Sequence, residues 1–375
     1  MGTYFMKVLQ LTKHLNVGGI TSQVFTLAKG LQARSHEVII LSGGGSEEKQ
    51  FKDAEIRCLT YALPLKAILH PDCFKAIRFL KELVRTEKID VIHAHTRVWQ
   101  FVASFVSKST RVPLVTTAHG IYQYNLGRKL FPARGHKTIA ISDHVKHDLM
   151  VTHGCLDENV ITVWNGIDTQ ALDSAYQKAY QKREEIKKEH GLKTNSFVVG
   201  MTSRMVEVKG HAVTISAMHD LISNQSPVEA VLVGDGPLKN ELQSQVKRLG
   251  LEKSIHFIPP TPDIAQFYAI MDVLVTPVLY EEGFGMVVPE AMSLGVPVIA
   301  SKRGAFVDLI INGQDGLLVE SDDYIDLALG IKTLMKNEKL RKTMVKNARQ
   351  KAADRYSMER MAEQTEKVYF SVVKS

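Results

Sequence analysis

The chain has 375 residues, 45% of them apolar and 23% charged, which is too long for one ordinary core and too apolar for a disordered chain. The formal net charge is +7, and residues 1–180 carry all of it: 22 Lys and Arg against 15 Asp and Glu, with 25 of each in the remainder. Three scattered cysteines, Cys58, Cys73 and Cys155, exclude a disulfide framework or a cysteine metal site, whereas a basic first half leaves nucleic acid, anionic membrane and anionic substrate open as partners.

Val8 to Leu11 is an apolar run too brief for a signal peptide, and no stretch approaches the roughly 18 apolar residues of a membrane span. A cytoplasmic protein is therefore expected. Short β-branched runs then alternate with amphipathic stretches, the pattern of parallel sheets with crossover helices. The strands expected in the first half are Lys7–Thr12, Glu37–Ser42, Val91–His93, Leu114–Thr117 and Thr138–Ala140, with helices at Gln23–Arg34, Phe74–Thr86 and Asp143–Val151 among them. A strongly charged stretch, Asp173–Glu189, places a domain boundary near residue 180. Beyond it lie strands at Phe197–Thr202, Glu229–Val233, Ser254–Ile258, Val273–Thr276 and Val296–Ala300. The chain ends in helix from Asn347, broken at Tyr356-Ser357. Two doubly wound domains facing one another would bind a ligand at the carboxyl ends of their strands.

Three segments carry chemistry. Asn16-Val17-Gly18-Gly19 joins the first strand to a helix, where backbone can approach a phosphate, although a glycine pair there also fits plain turn chemistry. Arg204 and Lys209 follow a strand of the second half directly; taken alone they fit solvated surface cations as well as a pair that neutralises a diphosphate, and their place at the sheet edge favours the latter. Glu281-Glu282-Gly283-Phe284-Gly285-Met286-Val287-Val288-Pro289-Glu290 sets two carboxylates around a glycine loop that opens a helix. Its amides suit an anion or sugar hydroxyls, and a carboxylate suits vicinal hydroxyls. An ordinary helix-terminal acid would account for Glu290 but not for the glycines after Glu282.

Glu282 and Glu290, seven residues between them, resemble the E-x7-E element of family 4 glycosyltransferases. Gly18-Gly19, His119-Gly120, Asn165-Gly166-Ile167-Asp168, Arg204 with Lys209-Gly210, and Gly234-Asp235-Gly236-Pro237 follow in family order. The resemblance implies the GT-B fold: a Rossmann-like acceptor domain over 1–180, a Rossmann-like donor domain over 181–355, a deep cleft between them, and a C-terminal helix over 356–375 returning to the first. It further implies a retaining hexosyltransferase that takes a nucleoside diphosphate sugar, UDP-linked by default, and needs neither metal nor cofactor. No Asp-x-Asp pair of the metal-holding kind occurs in the chain.

Carried onto this chain, the resemblance puts the donor β-phosphate on Arg204 and Lys209, with support from Gly18 and Gly19. Glu290 would take the ribose hydroxyls. Glu282 and His119 would contact the transferred sugar, assisted by the backbone of Gly283, Phe284, Gly285, Met286 and Val287. Base contacts fall to backbone near Ile258 and Gly234. Two places depart from the usual pattern. Ser35 stands where a glycine is common, and Lys302-Arg303-Gly304-Ala305-Phe306-Val307-Asp308 lacks a second glycine and has Asp308 for a glutamate, which bears on sugar and acceptor details.

The acceptor, expected to be a glycan or glycolipid of bacterial surface polysaccharide or lipopolysaccharide synthesis, would meet the basic first half. Tyr122, Tyr124, Arg128, Lys129 and Arg134 mix aromatics with cations, a composition that suits anionic headgroups on the inner face of the cytoplasmic membrane and equally a solvated loop. Lys75, Arg78, Lys81 and Arg85 form a second basic face. Nucleic acid is not expected as a partner. Two other readings stay open on sequence: a sugar-nucleotide epimerase of the same fold, and a non-catalytic carbohydrate or nucleic-acid binding protein.

Overall fold

A computed structural model describes residues 5–63, 72–123, 132, 134–261 and 263–373. The chain divides into two units, Met1–Ile167 with Arg355–Ser375, and Asp168–Asp354. The break precedes the charged stretch because the helix Thr169–Tyr180 packs on the second unit's helices Ala265–Ile270 and Val287–Leu294, with Tyr176 as its buried residue.

In the first unit, β1 (Lys7–Leu11), β2 (Glu37–Ser42), β3 (Arg57–Thr60), β4 (Val91–Ala94), β5 (Leu114–Ala118), β6 (Lys137–Ala140) and β7 (Val160–Thr162) form one parallel sheet in the order β3-β2-β1-β4-β5-β6-β7. The order reverses between β1 and β4, the switch point at which such sheets bind ligands. Side chains alternate across the sheet. Val8, Ile40, Val91 and Val115 pack under the helices Gly19–Ala33 and Met358–Val373, while Leu9, Leu11, Ile39 and Ile92 pack under Asp72–Thr86 and Arg97–Thr110. Both faces are covered, which is why the strands read as nearly continuous apolar runs.

The C-terminal helix Met358–Val373 lies against Gly19–Ala33. Its Glu366 is buried and accepts from Arg34 (2.5 Å) and from His36 Nε2 (2.8 Å). Met6 N donates to His36 Nδ1, which leaves Nε2 as the donor to Glu366.

In the second unit, β8 (Phe197–Thr202), β9 (Val228–Val233), β10 (Ile255–Ile258), β11 (Val273–Thr276), β12 (Val298–Ser301) and β13 (Leu317–Val319) run parallel in the order β10-β9-β8-β11-β12-β13. The reversal falls between β8 and β11, the strands that lead to Arg204 and to Glu282. Both units are thus doubly wound.

Counted by these units, the first holds 25 Lys and Arg against 16 Asp and Glu, a net of +9, and the second 22 against 24, a net of −2. The asymmetry is sharper than the halves of the sequence show. Among the described residues no helix is long and apolar enough to cross a membrane.

Candidate active site

At the carboxyl edge of the second sheet, β8 runs through Ser203 and Arg204 into the short 3-10 turn Glu207–Lys209. Gly210 follows with φ 75°, and a Cβ there would run into the Pro277 carbonyl oxygen. Only glycine allows the loop after β8 to lie this close to the loop after β11. Leu279 N donates to Val208 O (2.8 Å) across the same junction. Lys209 is thereby brought to the residues that follow β11.

There Lys209 Nζ donates to Glu282 Oε2 at 2.7 Å and to the Tyr280 hydroxyl at 2.8 Å, while Tyr280 donates to the same Glu282 oxygen at 2.5 Å. The ammonium also lies 4.9 Å from the Tyr280 ring centre. Burial, reinforced by Glu282, raises the Tyr280 phenol far above its ordinary value, so it stays a donor. Glu282 is fixed from the other side by the loop after β12. Gly304 (φ 56°) passes so close that a Cβ would strike the Glu282 backbone, and Ala305 N donates to Glu282 O at 2.8 Å. Glu281 points differently, accepting from Gly304 N (2.8 Å).

Glu290 stands in the first turn of the helix Val287–Leu294. The fully buried Tyr268 donates to its Oε2 at 2.7 Å. Burial pushes the Glu290 carboxyl up to about 7, against the lowering effect of the Tyr268 bond. Phe284 is buried within the intervening loop. The loop closes onto this first turn, where Val288 N donates to Gly285 O (3.0 Å) and Glu290 N to Met286 O (3.1 Å), which sets the start of the helix beside the two carboxylates. Arg204 is exposed and makes no ion pair among the described residues, whereas Lys209 is paired. Gly234 N donates to Ile258 O at 2.9 Å, so that carbonyl is already engaged at the ends of β9 and β10. Among the described residues no group of three or more His, Cys, Asp or Glu is gathered as a metal site.

At the carboxyl edge of the first sheet, Gly18 and Gly19 open the helix Gly19–Ala33, and a Cβ on either would meet nothing within 4 Å. His119 follows β5. Its Nε2 lies 3.2 Å from His95 Nδ1, and its backbone N donates to the Tyr122 hydroxyl at 3.0 Å. Burial lowers the His119 imidazole to about 3, which keeps it neutral.

Tyr122 is therefore half-buried against the His119 backbone, and Arg134 donates to the carbonyls of His153 and Gly154. With His153 and Cys155 they line a cavity of about 50 Å³, too small for a sugar. Tyr124, Arg128 and Lys129 lie outside the described residues. The sequence did not point to Tyr268, Tyr280 or His95. Tyr280 stands two residues before Glu282, a proximity that signals it. Tyr268 and His95 come from elements distant in sequence, and only the fold reveals them.

The family description Glycosyltransferase Family 4 matches residues 17–171, and Glycosyl transferases group 1 matches residues 182–351. The chain is 28% identical over 363 residues to the capsular polysaccharide biosynthesis glycosyltransferase CapM of Staphylococcus aureus, covering 92% of each chain. The solved structure of a glycosyltransferase from Rickettsia africae superposes with a TM-score of 0.88 at 22% identity, over 99% of each chain. Anabaena HepE, solved in complex with UDP and glucose, gives a TM-score of 0.81 at 26% identity over 98% of this chain and 100% of that one. With two doubly wound units and both family descriptions matched in order, the chain belongs to the glycosyltransferases of family 4, of GT-B type.

Proposed function

We propose that this protein is a retaining, metal-independent hexosyltransferase that moves a sugar from a UDP-linked donor to a glycan or glycolipid acceptor in bacterial surface polysaccharide or lipopolysaccharide synthesis. The observation that carries this reading is the Lys209–Glu282 pair, with Arg204 after β8 and Glu290 in the helix after β11 at the same carboxyl edge of the second sheet. HepE is known with UDP and glucose, and the name of CapM places it in capsular polysaccharide synthesis.

Glu290, held by Tyr268, takes the ribose hydroxyls, since a carboxylate accepts from two vicinal O–H groups. The exposed Arg204 grips a phosphate as a fork and Lys209 as a point charge. Glu282 and the loop from Gly283 to Val287 receive the sugar, and His119 contributes a neutral hydrogen-bonding group. When the bond between the anomeric carbon and the β-phosphate oxygen breaks, negative charge develops on that oxygen, where Arg204 and Lys209 stabilise it. The acceptor hydroxyl attacks from the face the phosphate leaves, and the departing phosphate takes its proton. Configuration at carbon 1 is then kept.

The first unit receives the acceptor, and its net charge of +9 favours an anionic membrane face. Real-time proton NMR of donor hydrolysis tests the stereochemistry. An α-linked donor should release the α-sugar first, and initial release of the β-sugar would sink the retaining mechanism.

A further inference from the structure

His93 and His95 alternate along β4 and its extension, and Thr117 and His119 along β5 and its extension, so all four face the side covered by Met358–Val373. His93 is fully buried and fully partnered: Nδ1 lies 2.7 Å from the Tyr369 hydroxyl and Nε2 2.7 Å from Thr117 Oγ1. The His95 ring lies against it, 4.1 Å between centroids. His95 is 1% exposed, and its two nitrogens differ. Nδ1 lies 3.2 Å from His119 Nε2, whereas Nε2 is buried and has no partner among the described residues. The C-terminal helix thus fixes His93, His93 backs His95, and His95 aims one nitrogen at His119.

Burial holds His93 and His119 down to about 3 and His95 well below its ordinary value, so each ring carries one hydrogen at neutral pH. A single proton then occupies the contact between His95 Nδ1 and His119 Nε2. Were it supplied by His119, the hydrogen of His95 would sit on Nε2, a buried N–H with no acceptor. As for backbone groups, that kind of orphan is rarer than an acceptor left short. The opposite assignment leaves only a bare lone pair.

We propose that His95 is a positioning residue: its Nδ1 donates to His119 Nε2 and fixes His119 as the tautomer with its hydrogen on Nδ1, a neutral donor toward a substrate oxygen. The use of that donor in sugar transfer rests on the glycosyltransferase reading, but the tautomer does not.

The direct test is a two-bond ¹H–¹⁵N spectrum of the full chain with ¹⁵N-labelled histidine, His119 being assigned by the signals lost in His119→Gln. The expected result is a protonated Nδ1 and a bare Nε2 on His119; the reverse assignment overturns the proposal. A kinetic arm uses whichever sugar nucleotide is turned over. His95→Leu should lower kcat about tenfold with donor KM nearly unchanged. His95→Asn, whose amide N–H sits near the position of imidazole Nδ1, should recover most of that loss. Equal losses in both variants would overturn the positioning role. The predicted tautomer with no sugar nucleotide turned over would uphold the His95 assignment and count against the glycosyltransferase reading alone.

Discussion

Lys209 Nζ and Glu282 Oε2 lie 2.7 Å apart, so the cation proposed for phosphate and the carboxylate proposed for sugar hold one another. Both are partly shielded from solvent, and Tyr280 completes a triangle with them. In the proposed reaction Lys209 would exchange Glu282 for phosphate, and Glu282 would keep the Tyr280 hydrogen bond, so that it is not left bare.

Replacing Lys209 by Ala should reduce donor turnover by about a hundredfold or more, the usual effect of removing one preorganised charge at a developing anion. Near-normal turnover in that variant would remove Lys209 from the phosphate role. EDTA should leave wild-type turnover largely intact, and a complete loss restored by Mg²⁺ would contradict the metal-free mechanism.

Glu290 gives the site a pH dependence of definite sign. Burial raises its carboxyl to about 7, so below that pH it is increasingly protonated and a weaker acceptor for ribose hydroxyls. UDP affinity measured by calorimetry should fall as pH drops from 8 to 6, by at most about tenfold per unit for one proton. Tyr268 donates to the ionised form, and Tyr268→Phe should therefore move the transition to higher pH. A flat profile in wild type would show that Glu290 does not contact the nucleotide in its charged form.

Glu366 tests how the C-terminal helix is held. Burial alone would raise its carboxyl, but the hydrogen bonds from Arg34 and His36 outweigh it and the pKa is lowered. Glu366→Ala should cost about 2 kcal/mol, or roughly 4–8 °C in the transition of the first unit. A depressed carboxyl contributes stability above its unfolded value, about 4.3, and loses it as pH falls through the folded one. The gap between wild type and variant should therefore close in acid. An equal gap at pH 3.5 and 7 would argue that lost packing, not charge, sets the difference.

The net charge of +9 on the first unit predicts sedimentation with anionic liposomes that weakens steeply with salt. Failure to sediment at low ionic strength would dispose of membrane association.

Much of the architecture was legible because strands buried on both faces, such as β2 (Glu37–Ser42) and β11 (Val273–Thr276), read as nearly continuous apolar runs. The edge strand Arg57–Thr60 has no fully buried residue, and the three-residue β13 is too short to show a period, so neither stood out. The end of the first unit was hidden for a related reason. Thr169–Tyr180 buries only Tyr176, and charge density there marked a solvated surface instead of a boundary. At the site, Glu282, Glu290, Arg204 and Lys209 were visible as residue types at telling spacings. Their partners were not, because Tyr268 reaches Glu290 across 22 positions and Lys209 reaches Glu282 across 73, relationships set by sheet order.

Arg204, Lys209, Glu282 and Glu290 on the second sheet are proposed to bind and activate a nucleoside diphosphate sugar. The most direct test of that role is nucleoside diphosphate release from a panel of UDP-, GDP-, ADP- and CDP-sugars, run on the wild-type chain beside Glu282→Ala. Wild type should release nucleoside diphosphate from at least one UDP-sugar, and the variant should lose that release almost completely. Absence of release from every donor, or equal release by both proteins, would contradict that role.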